Sequence, residues 1–289
     1  MAETHGGYFL PHGTHWPILG SIGLTTLVVG FATLLNGADI GHWLMVLGAA
    51  IVIVMMVGWF GRVIHESEAH LYNDQVDRSF RWGMGWFIFS EVMFFAAFFG
   101  ALYIARIYTV PWLGGSGMGG VETHALLWPS YEATWPTNGP GDIGGHFTAM
   151  ETWGIPALNT LILLSSGVTV TVAHWGLKRG SRVQFLAFLF ATIALGLLFL
   201  GFQAHEFITA YTKLGLTLGS GIYGSTFFML TGFHGAHVTI GAVMLSVMLG
   251  RGLVGHFTAD HHFAFEAAAW YWHFVDVVWL GLFTFVYWL

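Results

Sequence analysis

Seven apolar runs, each long enough to cross a bilayer as a helix, divide this chain almost from end to end. They fall at about residues 17–36, 41–60, 81–108, 155–175, 183–210, 220–250 and 266–289. A spanning helix needs about 20 predominantly apolar residues, and it satisfies its own backbone polar groups where no water can. Charge is too sparse for a water-facing alternative: 8% of the 289 residues are charged and 55% are hydrophobic, against roughly a quarter charged in soluble domains. No segment alternates apolar and polar residues as a membrane barrel requires. The runs lack the polar stripe of a soluble helix, and LNTLILLSSGVTVTVAHW scatters the small residues that let helix backbones approach in lipid. The expected fold is an all-α polytopic membrane protein of seven transmembrane helices, forming a single membrane domain over residues 1–289.

Basic residues orient the bundle, because short loops rich in Lys and Arg stay inside. With the N-terminus inside, Arg62, Arg78, Arg81, Lys178, Arg179, Arg182 and Arg251 fall on the inner side, and only Arg106 and Lys213 on the outer. The C-terminus is then outside. The acids Asp39, Glu122, Glu132, Asp142, Glu151 and Glu206 fall outward on the same assignment.

The start, MAETHGGYFLPHGTHWP, has neither a basic leader region nor a small-residue cleavage site, so no signal peptide or import sequence is expected. Cysteine is absent, which excludes disulfides, iron–sulfur clusters, thiolate copper centres and thioether-linked haem. Gly and Pro punctuate one long outer connection, residues 111–153, with WLGGSGMGG, WPSYEATWP and TNGPGDIGG inside it. Its Trp112, Trp128, Trp135 and Trp153 suit a place at the lipid–water interface or a cap folded over the bundle, and a packed surface loop is the plainer reading.

Glu91 stands alone in FIFSEVMFF. The helical rise from a span starting near Arg81 puts it roughly 15 Å deep, close to the midplane. Ionised there it would cost about 3 kcal/mol, and its own helix offers only Phe87, Ile88, Phe94 and Phe95 nearby. Two readings follow: a neutral carboxyl hydrogen-bonded to a neighbouring helix, or a group that handles protons. Asp276, in WYWHFVDVVWLGLF, has His273 three residues earlier on the same face. That pair reads either as a structural hydrogen bond or as a proton or partner site.

Sixteen histidines invite a metal hypothesis, yet their spacing disperses them. His234 and His237 share a helix face and His261 and His262 are adjacent, while the others lie on both sides and at different depths. No protein-borne metal is expected. At the inner face, Arg62, His65, Glu66 and His70 follow the second run, and Arg251, His256 and His261 follow the sixth. Arg and His there can donate to lipid phosphates or serve as ordinary interfacial anchors.

The runs RWGMGWFIFSEVMFF, LNTLILLSSGVTVTVAHW, YGSTFFMLTGFHGAHVTIG and HFTADHHFAFEAAAWYWHFVDVVWL resemble subunit III of cytochrome c oxidase, in the haem–copper oxidase superfamily. The likeness runs from about Trp16 to the C-terminus, in order; the long outer connection is larger than in compact members, and nothing is carried over to it. The resemblance implies a non-catalytic accessory subunit of an aa3-type oxidase, which moves electrons from cytochrome c to oxygen with proton translocation. It implies haems and copper on partner subunits and none on this chain, catalytic subunit I and subunit II as partners, and bound phospholipids. It further implies helices one and two splayed from three to seven by a lipid cleft. Arg62, Glu66, Arg251, His256 and His261 match the headgroup motifs; His65 stands where many members have Arg, and Val254 where some have Lys. Glu91 matches the buried glutamate near the catalytic subunit. Such subunits are thought to sustain proton uptake, protect against turnover inactivation and give oxygen a route through the cleft. The implied location is a bacterial cytoplasmic membrane, with the mitochondrial inner membrane as alternative. Both early helices are present, which favours the cytochrome c branch over a quinol-oxidising one. Outside this family, the readings are a stand-alone His-dependent membrane metalloenzyme and a proton-coupled transporter; the latter lacks an inverted repeat.

Overall fold

The computed structural model describes residues 13–289; the first twelve, where no leader was expected, lie outside the described residues. Seven helices long and apolar enough to span a membrane are present among the described residues. They are α1 (Trp16–Leu35), α2 (Ile40–Glu68), α3 (Asp74–Leu113), α5 (Ile155–Lys178), α6 (Arg182–Lys213), α7 (Gly221–Val254) and α8 (Phe263–Trp288), with a short α4 (Gly120–Leu127) in the outer connection. The expected spans are recovered, and most of the helices outrun them. At about 1.5 Å per residue, the 40 residues of α3 rise about 60 Å, twice the hydrocarbon thickness. Its extra length has visible causes. Asn73 Oδ1 accepts from the Val76 N–H at 3.0 Å, Asp74 and Asp77 occupy the first turn, where acids suit the helix dipole, and Arg81 pairs with Asp77 at 2.7 Å. A π-helical turn, Ala105–Thr109, carries the other end past the expected boundary.

The chain forms two compact units, Met1–Trp82 and Gly83–Leu289, with the boundary inside α3. In the first, α1 and α2 make an antiparallel hairpin held by small residues. Gly20, Gly23 and Gly30 of α1 and Gly41 and Gly48 of α2 are buried, while Ile18, Val28, Trp43 and Val57 stay more than half exposed. Gly48 shows why: a Cβ there would lie 2.5 Å from the Leu27 backbone nitrogen. In lipid, large apolar side chains gain little by leaving the solvent, so backbone approach decides the contact.

In the second unit, α5, α6, α7 and α8 are successive neighbours, and α8 returns to α5, as short connections between antiparallel helices predict. Trp272, Trp279, Phe199, Phe227 and Leu163 are fully buried among them. A buried indole needs a partner for its N–H. Trp272 donates to Ser166 Oγ and Trp279 to Thr160 Oγ1, each at 2.9 Å. The hydroxyls in LNTLILLSSGVTVTV thus stitch α5 to α8.

The outer connection divides in two. Met118, Val121 and Leu126 are exposed, whereas residues 135–152 fold over the helix ends. Thr137 accepts from the Tyr223 N–H at 3.2 Å and the Thr148 N–H donates to Leu214 at 2.8 Å. The Phe147 ring stacks on Tyr223 at 5.5 Å, and Trp135 meets Tyr223 edge-on. This stretch is the cap; Trp153, 70% exposed, stands outside it.

Candidate functional site

The acid in FIFSEVMFF has a partner, and it comes from another helix. Glu91 of α3 meets His237 of α7, with Oε2 and Nε2 2.7 Å apart. The ring's other nitrogen, Nδ1, lies 2.7 Å from the Phe233 carbonyl one turn earlier. A carbonyl only accepts, so Nδ1 carries a proton. Nε2 is then either bare, accepting from a protonated Glu91, or protonated, donating to the carboxylate. Either way one proton lies between the two side chains, and the pair keeps the same net charge. Phe94, Phe95, Tyr271 and Phe274 surround the imidazole, with Phe95 nearest at 4.9 Å. The Glu91 and His237 side chains remain 22% and 12% exposed, beside a face of α3 where Trp86, Phe89 and Met93 are more than half exposed. A protonatable pair thus sits at the edge of the unit, under an apolar surface.

The second intramembrane acid is seated differently. Asp276 Oδ2 lies 3.7 Å from His273 Nδ1, longer than a hydrogen bond. His273 Nε2 instead meets Thr171 Oγ1 on α5 at 3.2 Å. Asp276 is buried, with Oδ1 lacking a hydrogen-bond partner, and its carboxylate lies against Gly167, where a Cβ would sit 2.2 Å from Oδ2. A groove of about 470 Å³ runs along this seam, lined by Gly167, Thr171, Trp175, His273 and Asp276 among others.

The inner-face residues fall in both units. In the first, Arg62, His65 and Glu66 belong to α2 itself, because the helix runs eight residues past its expected end, to Glu68. That places Arg62 and Glu66 one turn apart: Arg62 Nε donates to Glu66 Oε1 at 2.8 Å and Tyr72 to Oε2 at 2.9 Å. Burial, then the Glu66 carboxylate, pushes the Tyr72 phenol well above its ordinary pKa. Glu66 is buried, whereas the Arg62 side chain is half exposed and has N–H donors beyond the one Glu66 takes. His65 is exposed, and His70 ends the helix in the left-handed region, at φ 53. In the second unit, Gly255 at φ 86 closes α7, the His256 N–H bonds back to the Arg251 carbonyl at 3.1 Å, and the Arg251 guanidinium lies 4.7 Å over the Phe257 ring. His261 is exposed in a turn tied to Thr258.

Two residues had little prominence in the sequence. His237 was visible only as a face-mate of His234, and the fold separates their tasks: buried His234 meets the Val275 carbonyl of α8 at 3.1 Å, His237 the acid of α3. Glu206, counted with the outward acids, is 1% exposed. Among the described residues, no three His, Asp or Glu side chains are grouped to hold a metal.

Known proteins share this chain over nearly its full length. The family described as cytochrome c oxidase subunit III matches residues 6–289. A protein named cytochrome c oxidase subunit 3 from Marchantia polymorpha is 43% identical over 277 residues, covering 94% of this chain and 92% of its own. Its namesake from Danio rerio is 40% identical over 297 residues, covering 100% and 99%. Another from Branchiostoma lanceolatum is 41% identical, covering 97% and 98%.

Proposed function

This chain belongs to the cytochrome c oxidase subunit III family, and on that footing we propose that it is the non-catalytic accessory subunit of an aa3-type oxidase, supporting proton uptake by the catalytic subunit. As an oxidase subunit it works in a complex with other oxidase subunits, within a membrane that it crosses several times. The partners proposed are catalytic subunit I, which holds haems and copper, and subunit II, with cytochrome c as electron donor to the complex.

The observation that carries this reading is the Glu91–His237 contact at 2.7 Å. A lone carboxylate at that depth is costly. Paired with an imidazole whose Nδ1 is already committed to the Phe233 carbonyl, Glu91 keeps a proton at hand without adding net charge. The exposed apolar face of α3 beside it is a surface for the catalytic subunit to cover, which would bring this proton to the interface. Phospholipid headgroups are proposed at the inner ends of both units: Arg62 with His65, Glu66 and His70 in one, Arg251 with His256 and His261 in the other. Arg62 suits that task because its guanidinium is half exposed while Glu66 fixes its position.

Purification of the native complex through a tag on this chain tests the proposal. A haem–copper partner co-purifying in fixed stoichiometry, with the spectrum following the partner, supports it. A chain that migrates alone, or that carries its own iron or copper, overturns it.

A further inference from the structure

A pair of histidines with no part in the contacts described so far joins α5 to α8 at the inner side of the second unit. His174 lies one turn before the end of α5 and His262 at the N-cap of α8. They face each other Nε2 to Nε2 at 3.2 Å, with ring centres 5.2 Å apart.

The surrounding bonds aim the rings and assign their protons. His262 Nδ1 lies 3.1 Å from the Thr258 carbonyl. A carbonyl only accepts, so Nδ1 carries a proton and Nε2 of the neutral ring presents a lone pair, to which His174 Nε2–H donates. Thr258 is itself fixed: its Oγ1 accepts from the His261 N–H at 3.1 Å, and its own N–H donates to the His261 carbonyl at 3.3 Å. On the other side, fully buried Phe265 packs edge-on against the His174 ring, 5.6 Å between centres.

Metal-binding histidines are set in this way: one ring nitrogen donates to a backbone carbonyl, which fixes the tautomer and turns the other toward the ion. The spacing fits as well. Two imidazoles bound through nitrogen at about 2.0–2.1 Å to one tetrahedral ion have those nitrogens about 3.3 Å apart and their ring centres about 5 Å apart. The hydrogen-bonded rings therefore already stand at the bite of such an ion. Both are partly exposed, and Asp260 and His261 beside them are open, which gives an entry path from the inner aqueous side. Glu266, whose N–H bonds to the His262 carbonyl at 3.1 Å, puts an acid in the same turn. Lys178, one turn past His174, opposes a cation, but it is exposed and its long stem lets the ammonium turn to water.

We propose that His174 and His262 form a two-histidine site for a zinc-class divalent cation, with water completing its coordination, and that the ion clips the start of α8 to the end of α5. Imidazole ligands suit zinc, copper and nickel. On binding, the proton of His174 Nε2 passes through water to Nδ1 of the same ring, so both imidazoles stay neutral and no proton is released. No redox step is involved. The site stands apart from the accessory-subunit reading and does not depend on it.

Zinc titration of the intact purified complex, first treated with EDTA, tests this. Wild type should bind one zinc that His174→Gln and His262→Gln each lose, with affinity falling at least about 100-fold, the upper end of what loss of an outer-shell partner alone costs. His205→Gln, exposed on α6, should keep it. Should a variant fail to assemble, anomalous diffraction at the zinc edge from wild-type crystals soaked in zinc decides the matter: an ion bonded to both Nε2 atoms supports the site. Zinc binding unchanged in both His174→Gln and His262→Gln, an equal loss in His205→Gln, or crystals with no ion between the two rings overturns it.

Discussion

Glu91 Oε2 and His237 Nε2 stand 2.7 Å apart across two helices, although the two residues are 146 positions apart in sequence. Because Nδ1 of that ring is engaged by Phe233, what His237 asks of position 91 is a hydrogen-bond donor or a negative charge. Glu91→Gln supplies a donor and keeps the length, so the variant should assemble with nearly native thermal stability while losing the mobile proton. Glu91→Ala leaves Nε2 of the ring unpartnered among Phe94, Phe95 and Phe274 and should cost about 1–3 kcal/mol. Proton-uptake kinetics should slow in both variants. Equal stability losses in the two, with unchanged kinetics, would make the contact a plain structural bond.

The α1–α2 hairpin makes a second claim testable. Gly48→Val places a branched side chain where even a Cβ lies 2.5 Å from the Leu27 backbone nitrogen. No flexible side chain can yield there, so the hairpin should loosen by at least about 1–3 kcal/mol. Limited proteolysis of the 36–39 turn should report it as faster cleavage. Gly61→Ala is the control, since nothing lies within 4 Å of the added atom.

Asp276 and Gly167 should behave as one site. Gly167→Ala drives a methyl against the Asp276 carboxylate, 2.2 Å from Oδ2, and should destabilise by about 1–3 kcal/mol. Adding Asp276→Ala removes the obstacle, so the double variant should lose less than the two single losses summed. Strict additivity in thermal melts would show that the two do not meet.

Phospholipid retention should depend on Arg62 and Arg251 more than on the histidines near them. Arg62→Gln keeps a polar side chain but loses the charge and the fork that suits phosphate. Phosphorus bound per purified complex should fall in Arg62→Gln and Arg251→Gln, and change little in His65→Gln, because an imidazole lacks the fork of donors. Unchanged phosphorus in both Arg variants would leave these residues as anchors only.

The membrane architecture was legible because it depends on run length and composition alone. Helix ends were less so. Arg62 and Glu66 looked like a loop after an apolar run, yet their four-residue spacing is itself helical, and the pair at 2.8 Å extends α2. Asn73 with Asp74 and Asp77 likewise spells an N-terminus ahead of the apolar stretch. Partners across helices were not legible. Periodicity puts His234 and His237 on one face without saying that one meets the α8 backbone and the other the α3 acid. Nor does any hydrophobic pattern encode the path of the Gly- and Pro-rich outer connection over Tyr223 and Tyr287.

As proposed, this chain supports a catalytic partner without bearing its chemistry. Oxidase prepared without this chain, then reconstituted with it, measures that directly through the haem and copper spectra and the persistence of turnover. The chain-free enzyme should keep its metal centres but lose activity during turnover, the wild-type chain should restore persistence, and the Glu91→Gln chain should do so incompletely. Loss of haem or copper on removing the chain, or persistence indifferent to its presence, would contradict it.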